Sequence, residues 1–82
     1  MQIGRVTHYY DKIGVAVVEV MNQALKAGDA VRFSGHDKEF KQVISSMQIE
    51  FKKVKTAKAG ETVGVLVDKP VKSGDMVFLT KG

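Results

Sequence analysis

Apolar positions along the chain fall into short β-branched runs separated by turn signals. The segments 13–20 (IGVAVVEV), 62–67 (TVGVLV) and 76–80 (MVFLT) are almost continuously apolar. Runs of that kind predict strands buried on both sides. Val31 and Phe33 instead alternate with Arg32 and Ser34, the period of a strand with one solvated face. Turn signals stand at 10–12, 27–29, 34–37, 59–61, 69–70 and 73–75. Many short strands at regular spacing predict a small sandwich or barrel.

One stretch reads two ways. From Asp37 to Ala59 there is neither glycine nor proline, and Phe40, Val43, Ile44, Met47, Phe51 and Val54 recur at helical intervals. That spacing would give an amphipathic helix with a lysine-rich outer face. The same stretch alternates, with Met47, Ile49 and Phe51 apolar and Ser46, Gln48 and Glu50 polar. Its β-branched content and its paired serines lean toward strand. A second short helix at 21–27 carries the same ambiguity. Pattern alone favours an all-β domain over an α+β one.

A small motif recurs. Lys26-Ala-Gly-Asp-Ala-Val31, Lys58-Ala-Gly-Glu-Thr-Val63 and Lys72-Ser-Gly-Asp-Met-Val77 share K-[AS]-G-[DE]-x-V. The pattern predicts a tight turn feeding a strand. Glycine supplies a positive φ, the acid bonds a nearby backbone amide, and valine starts the strand.

Length and composition then narrow the classes. Eighty-two residues make one domain, 1–82. Cysteine is absent, which excludes thiol catalysis, zinc knuckles and disulfide scaffolds. No run approaches the roughly 18–20 apolar residues of a membrane span, and residues 1–5 lack the layout of a secretion signal. The expected compartment is the cytoplasm.

Charge adds a location. The formal net charge is +4 and the pI about 9.5. Residues 51–60 carry Lys52, Lys53, Lys55 and Lys58 and no acid, while the remaining chain holds nine basic and nine acidic side chains. The whole excess therefore lies in one ten-residue window. A cationic patch concentrates anions, and nucleic acid is the commonest cellular polyanion. The plainer alternative is a solvated strand end kept for solubility.

Catalytic signatures are missing. There is no phosphate-cradling G-x-x-x-x-G-K-[ST], no G-x-G-x-x-G and no G-x-S-x-G. His8 and His36 have no partner at metal-ligand spacing, so no metal site or cofactor is expected. His36 and Asp37 would be the residues of a hydrolase, but adjacency in sequence seldom gives a base its orienting partner. The chain is expected not to be an enzyme. Of Tyr9 and Tyr10, one ring is expected to pack inward; an exposed one could stack on a base.

The order of these pieces resembles the second, β-barrel domain of the elongation factor Tu family of translational GTPases. The carriers are Ile3–Val6, the 13–20 strand, Leu25–Phe33, Val43–Gln48, Val54–Gly64 and Val71–Val77. Leu25–Phe33, Val54–Gly64 and Val71–Val77 are similar to that family's glycine-acid turns. Small stand-alone elongation-factor-like proteins look alike, and so does the C-terminal barrel of collagenase-like peptidases. The 8–18 segment, HYYDKIGVAVV, looks like those two groups in particular. The resemblance implies a closed antiparallel Greek-key barrel of six or seven strands, with 40–50 as strand. No GTPase domain is present, so no GTP binding is implied. The expected function is non-catalytic binding of RNA or a ribonucleoprotein through Lys52, Lys53, Lys55 and Lys58. The alternative is an accessory protein-interaction barrel that recruits a separate enzyme, such as a collagenase-like peptidase. No membrane partner is expected.

Overall fold

A computed structural model of the chain describes residues 1–35 and 38–80. All of its regular elements are strands: β1 (Gln2–Tyr10), β2 (Val15–Val20), β3 (Leu25–Lys26), β4 (Ala30–Ser34), β5 (Glu39–Val43), β6 (Met47–Ile49), β7 (Lys52–Val54), β8 (Thr56–Ala57), β9 (Thr62–Leu66) and β10 (Met76–Leu79). The ambiguous stretch is therefore extended, and the 21–27 segment holds the short β3 rather than a helix. Eight strands form one sheet in the order β5-β4-β10-β1-β2-β9-β6-β7, and β3 pairs with β8 as a separate ribbon. Every pairing is antiparallel. Among the described residues, ten strands stand where six or seven are expected. The excess comes from 39–57, which breaks at 44–46, at 50–51 and at Lys55 into four short pieces. Among the described residues, no helix is long and apolar enough to cross a membrane.

The sheet wraps one core. Ile3, Val6, Val18, Val20, Leu25, Val31, Phe33, Ile44, Met47, Val63, Val65 and Val77 are fully buried. Phe33 stacks on Phe40 with ring centroids 5.1 Å apart. The apolar runs are not buried on both sides. In β2, Ala16, Val18 and Val20 face the core, Val15 and Val17 are half-buried, and Glu19 is exposed. In β9, Leu66 is 44% exposed. Ile13, before β2, is 64% exposed. A single sheet curled round one core has only one inner face, so half of each apolar run faces outward.

The recurring motif forms the same turn three times. Gly28, Gly60 and Gly74 have φ of +95°, +95° and +98°. The acid N–H of each turn donates to the lysine carbonyl at 3.0 Å. Its carboxylate accepts from the lysine N–H: Asp29 at 2.9 Å, Glu61 at 2.7 Å and Asp75 at 2.9 Å. These are type II turns with a side-chain clasp.

Each turn also hooks one buried residue. Gly28 donates to the Ile44 carbonyl and Ile44 donates to the Asp29 carbonyl, at 2.7 and 2.9 Å. Gly60, Val20 and Glu61 repeat this at 2.8 and 2.9 Å, and Gly74, Val6 and Asp75 at 2.7 and 2.8 Å. The valine that follows, Val31, Val63 or Val77, enters the core. Ile44, Val20 and Val6 thus have their backbone groups satisfied by a turn rather than a strand.

Gln42 is the buried polar residue of the core, 6% exposed, on the end strand β5. Its Nε2 donates to the Leu66 carbonyl at 3.0 Å, and its Oε1 accepts from the Asp68 N–H at 2.8 Å. The side-chain amide therefore ties β5 to the exit of β9 with the donor-acceptor pair a neighbouring strand would offer.

Candidate functional site

The lysine window occupies β7 and the links on either side of β8. Lys52, Lys53, Lys55 and Lys58 are all exposed. The ion pairs among the described residues are Arg5–Glu19 at 3.8 Å and Arg32–Glu39 at 3.5 Å, so none of the four is held by a carboxylate. They do not share one face. Lys52 and Lys53 are consecutive in β7 and point to opposite sides. Lys55 lies between β7 and β8, where its carbonyl accepts from the Ala27 N–H at 2.9 Å. Lys58 opens the second of the three turns. The fold adds a fifth cation that the window did not contain. Lys26, exposed in β3, stands opposite Thr56, between Lys55 and Lys58 in the ribbon.

Phe51 departs from the apolar pattern that placed it with the core. It is 97% exposed. Ile49 pairs with Lys52, so Glu50 and Phe51 form a two-residue hairpin turn, with φ of +51° and +67°. Positive φ at both positions is the type I′ geometry, which matches strand twist and usually calls for Asn-Gly.

The tyrosines separate by a bulge. Val6 pairs with Val18 and His8 with Val17, leaving Thr7 as the extra residue. That insertion turns Thr7 and His8 outward in succession and sends Tyr9 inward against the core. Tyr10 points outward, 50% exposed, with its ring edge-on to His8 at 4.3 Å.

Register then joins the two groups of candidate residues. His8 stands opposite Val17, Val17 opposite Gly64, Gly64 opposite Gln48, and Gln48 opposite Lys53. Tyr10, Val15 and Leu66 form the neighbouring row. Residues directly opposite share a face, so the outer side of β1-β2-β9-β6-β7 runs from an aromatic pair to Lys53. Five strands span about 19 Å at their usual spacing. Gly64 is the midpoint, with ordinary negative or extended φ and no side chain.

A groove of about 920 Å³ lies elsewhere, bordered by Tyr9, Asp11, Lys38, Lys72, Asp75 and Met76. Asp75 is engaged in its turn, and among the described residues the hydroxyls of Ser34 and Ser73 in its lining make no side-chain hydrogen bond to a base. Among the described residues, no group of three His, Asp or Glu side chains is placed to hold a metal ion. The sequence-level pair His36 and Asp37 lies outside the described residues.

No protein-family model matches the chain. The chain is 42% identical over 82 residues to an uncharacterized protease of Methanocaldococcus jannaschii, covering 99% of this chain and 20% of that protein. It thus spans one fifth of the length of the curated relative it matches. Two crystal structures of the C-terminal domain of a Geobacillus thermoleovorans protein assigned to the U32 peptidases share the fold. One, at 26% identity and a TM-score of 0.90, covers 98% of this chain and 92% of that one. The other, a selenomethionine variant, is also 26% identical, with a TM-score of 0.89 and 95% and 98% covered. Along nearly its whole length the chain is thus similar to the C-terminal domain of that U32-assigned protein. Of the resemblances read from sequence, these relations support the peptidase-appended barrel and lend nothing to the translation-factor one.

Proposed function

We propose that the chain is a non-catalytic recognition domain that works beside a collagenase-like peptidase of the U32 type. The observation that carries this reading is the 42% identity along the whole chain to a segment amounting to 20% of a larger protease. The test uses the Methanocaldococcus jannaschii relative with its matching segment deleted. Adding this chain should give a one-to-one complex in gel filtration, while the chain alone leaves peptide substrates intact. Peptide cleavage by the chain alone, or no association with the truncated relative, overturns the reading.

A second reading concerns what the domain touches. The four exposed lysines without carboxylate partners favour a polyanion, RNA first among them. If Lys52, Lys53, Lys55 and Lys58 each meet a phosphate, log K against log salt should fall with a slope of about −3. Replacing all four by Gln should flatten it. A slope indifferent to those changes removes the lysines from the contact.

A further inference from the structure

We infer that the outer face of β1-β2-β9-β6-β7 is a track for a single-stranded polynucleotide, with bases on Tyr10 and His8 and a phosphate at Lys53. The inference rests on the polyanion reading and adds to it a path, a stacking end and a floor. Three features of the face support it.

First, the aromatic end is already assembled. Tyr10 and His8 stand i and i+2 on one strand, in edge contact at 4.3 Å and both exposed. Single-strand binders pair a cationic groove with an aromatic on which a base can lie, because every base offers a π-face. Second, the register row from His8 through Val17, Gly64 and Gln48 ends on Lys53. The distance of about 19 Å across five strands spans several nucleotides of an extended strand.

Third, the middle of the track is bare. Gly64 needs no positive φ, and a Cβ there would meet Val15 Cγ1 at 3.3 Å and the Gln48 carbonyl at 3.7 Å. Turn geometry does not require glycine at that place. In a strand interior glycine marks a bulge, a bend or a close approach by a ligand or another backbone, and the register runs through Gly64 without a bulge. Gln48 beside it offers an amide that can donate and accept. The acid that shares this face, Glu19, is paired with Arg5 at 3.8 Å. Glu50, at the neighbouring hairpin, is the carboxylate nearest Lys52 and Lys53 in sequence. Charge selects the occupant: Lys53 is the lysine of the cationic window that the register places on this face, a cation complementary to a phosphate.

The experiment is titration with oligo-U and oligo-dT 12-mers at low salt. Tyrosine fluorescence is read in a Tyr9→Phe chain, where Tyr10 is the remaining tyrosine. Stacking should quench that emission. Tyr10→Ala should weaken binding roughly 5- to 100-fold with the salt slope unchanged, because no phosphate contact is lost. Gly64→Val, which keeps the charge and suits a strand, should weaken binding comparably with its β circular dichroism intact. The tighter of the two oligomers names the sugar.

Suppose instead that the Lys52, Lys53, Lys55 and Lys58→Gln chain loses the slope while Tyr10→Ala and Gly64→Val bind like the parent. The track is then wrong and the lysine reading stands. No binding of either oligomer brings down both. A complex with the truncated protease that Tyr10→Ala abolishes, with no oligomer bound, gives the face to a protein and overturns the inference.

Discussion

Several single residues carry constraints that their chemical type alone does not reveal. Gly4 faces inward between Val20 and Val77, and a Cβ there would stand 2.6 Å from Val18 Cγ1 and 3.3 Å from the Glu19 carbonyl. Valine has no flexible end to swing aside. Gly4→Ala should therefore cost about 1–3 kcal/mol by overpacking, read as a lower urea midpoint at constant m-value. Glu50 and Phe51 show the opposite case, residues whose φ of +51° and +67° strains their backbone in the open. Replacing them by Asn-Gly should stabilise the chain by about 1–2 kcal/mol. Equal midpoints for the two chains would mean that the hairpin does not hold this turn in solution. Neither residue was legible in sequence. Gly4 looked like one more small residue in an opening strand, and Phe51 satisfied both apolar periods while belonging to neither. The fates of Tyr9 and Tyr10 were hidden for a related reason. A one-residue bulge at Thr7 resets the alternation, and a bulge leaves no mark in the apolar pattern.

At the scale of elements, the K-[AS]-G-[DE]-x-V turns were the most legible part of the chain. Glycine, acid and valine each do what their chemistry predicts, three times. The pair of backbone bonds that hooks each turn onto Ile44, Val20 or Val6 was not legible, because it joins residues 15 to 69 positions apart in sequence. A Cβ on Gly28, Gly60 or Gly74 would find open space, so the penalty of Gly→Ala there is conformational alone. Each should cost about 1–2 kcal/mol. Glu61→Ala should cost about 1 kcal/mol by removing the clasp on the Lys58 N–H. In a thermal melt, Gly60→Ala and Glu61→Ala in one chain should fall short of the sum of the two, because both loosen one turn. Full additivity would separate the clasp from the backbone conformation. The 37–59 stretch was undecidable locally because helix and strand periods coincide on Met47 and Phe51. What settles it is pairing, β5 with β4 and β6 with β9, which sequence periodicity does not contain.

For the whole molecule, the question is how one sheet with two end strands, β5 and β7, wraps a core without leaving β5 loose. β5 has one hydrogen-bonded neighbour, β4. Its other side is met by a side chain, the Gln42 amide, which reaches across to Leu66 and Asp68. The bond spans 24 to 26 residues of sequence, and nothing in the pattern around Gln42 marks it as a structural link rather than another polar position in an alternating strand. Burial makes the link consequential. In Gln42→Leu the volume is nearly kept, but the Leu66 carbonyl and the Asp68 N–H each lose a part-buried hydrogen bond. Leaving such groups unpaired costs about 1–3 kcal/mol each. Gln42→Leu should therefore lower stability by about 2–3 kcal/mol, and the Asp68 amide should exchange its hydrogen faster than its neighbours. The exchange measurement separates two outcomes that stability alone confuses. If Asp68 exchanges at its parent rate while stability falls, the leucine disturbs packing and the link is not what holds β5. If Asp68 speeds up and the Val63 and Val65 amides do not, β5 and the 66–68 exit open together while the β2-β9 ladder stays closed. The outer face that carries His8, Val17 and Gly64 is built on that ladder. Oligonucleotide affinity in Gln42→Leu should then match the parent chain, which makes this variant a stability control for the recognition face.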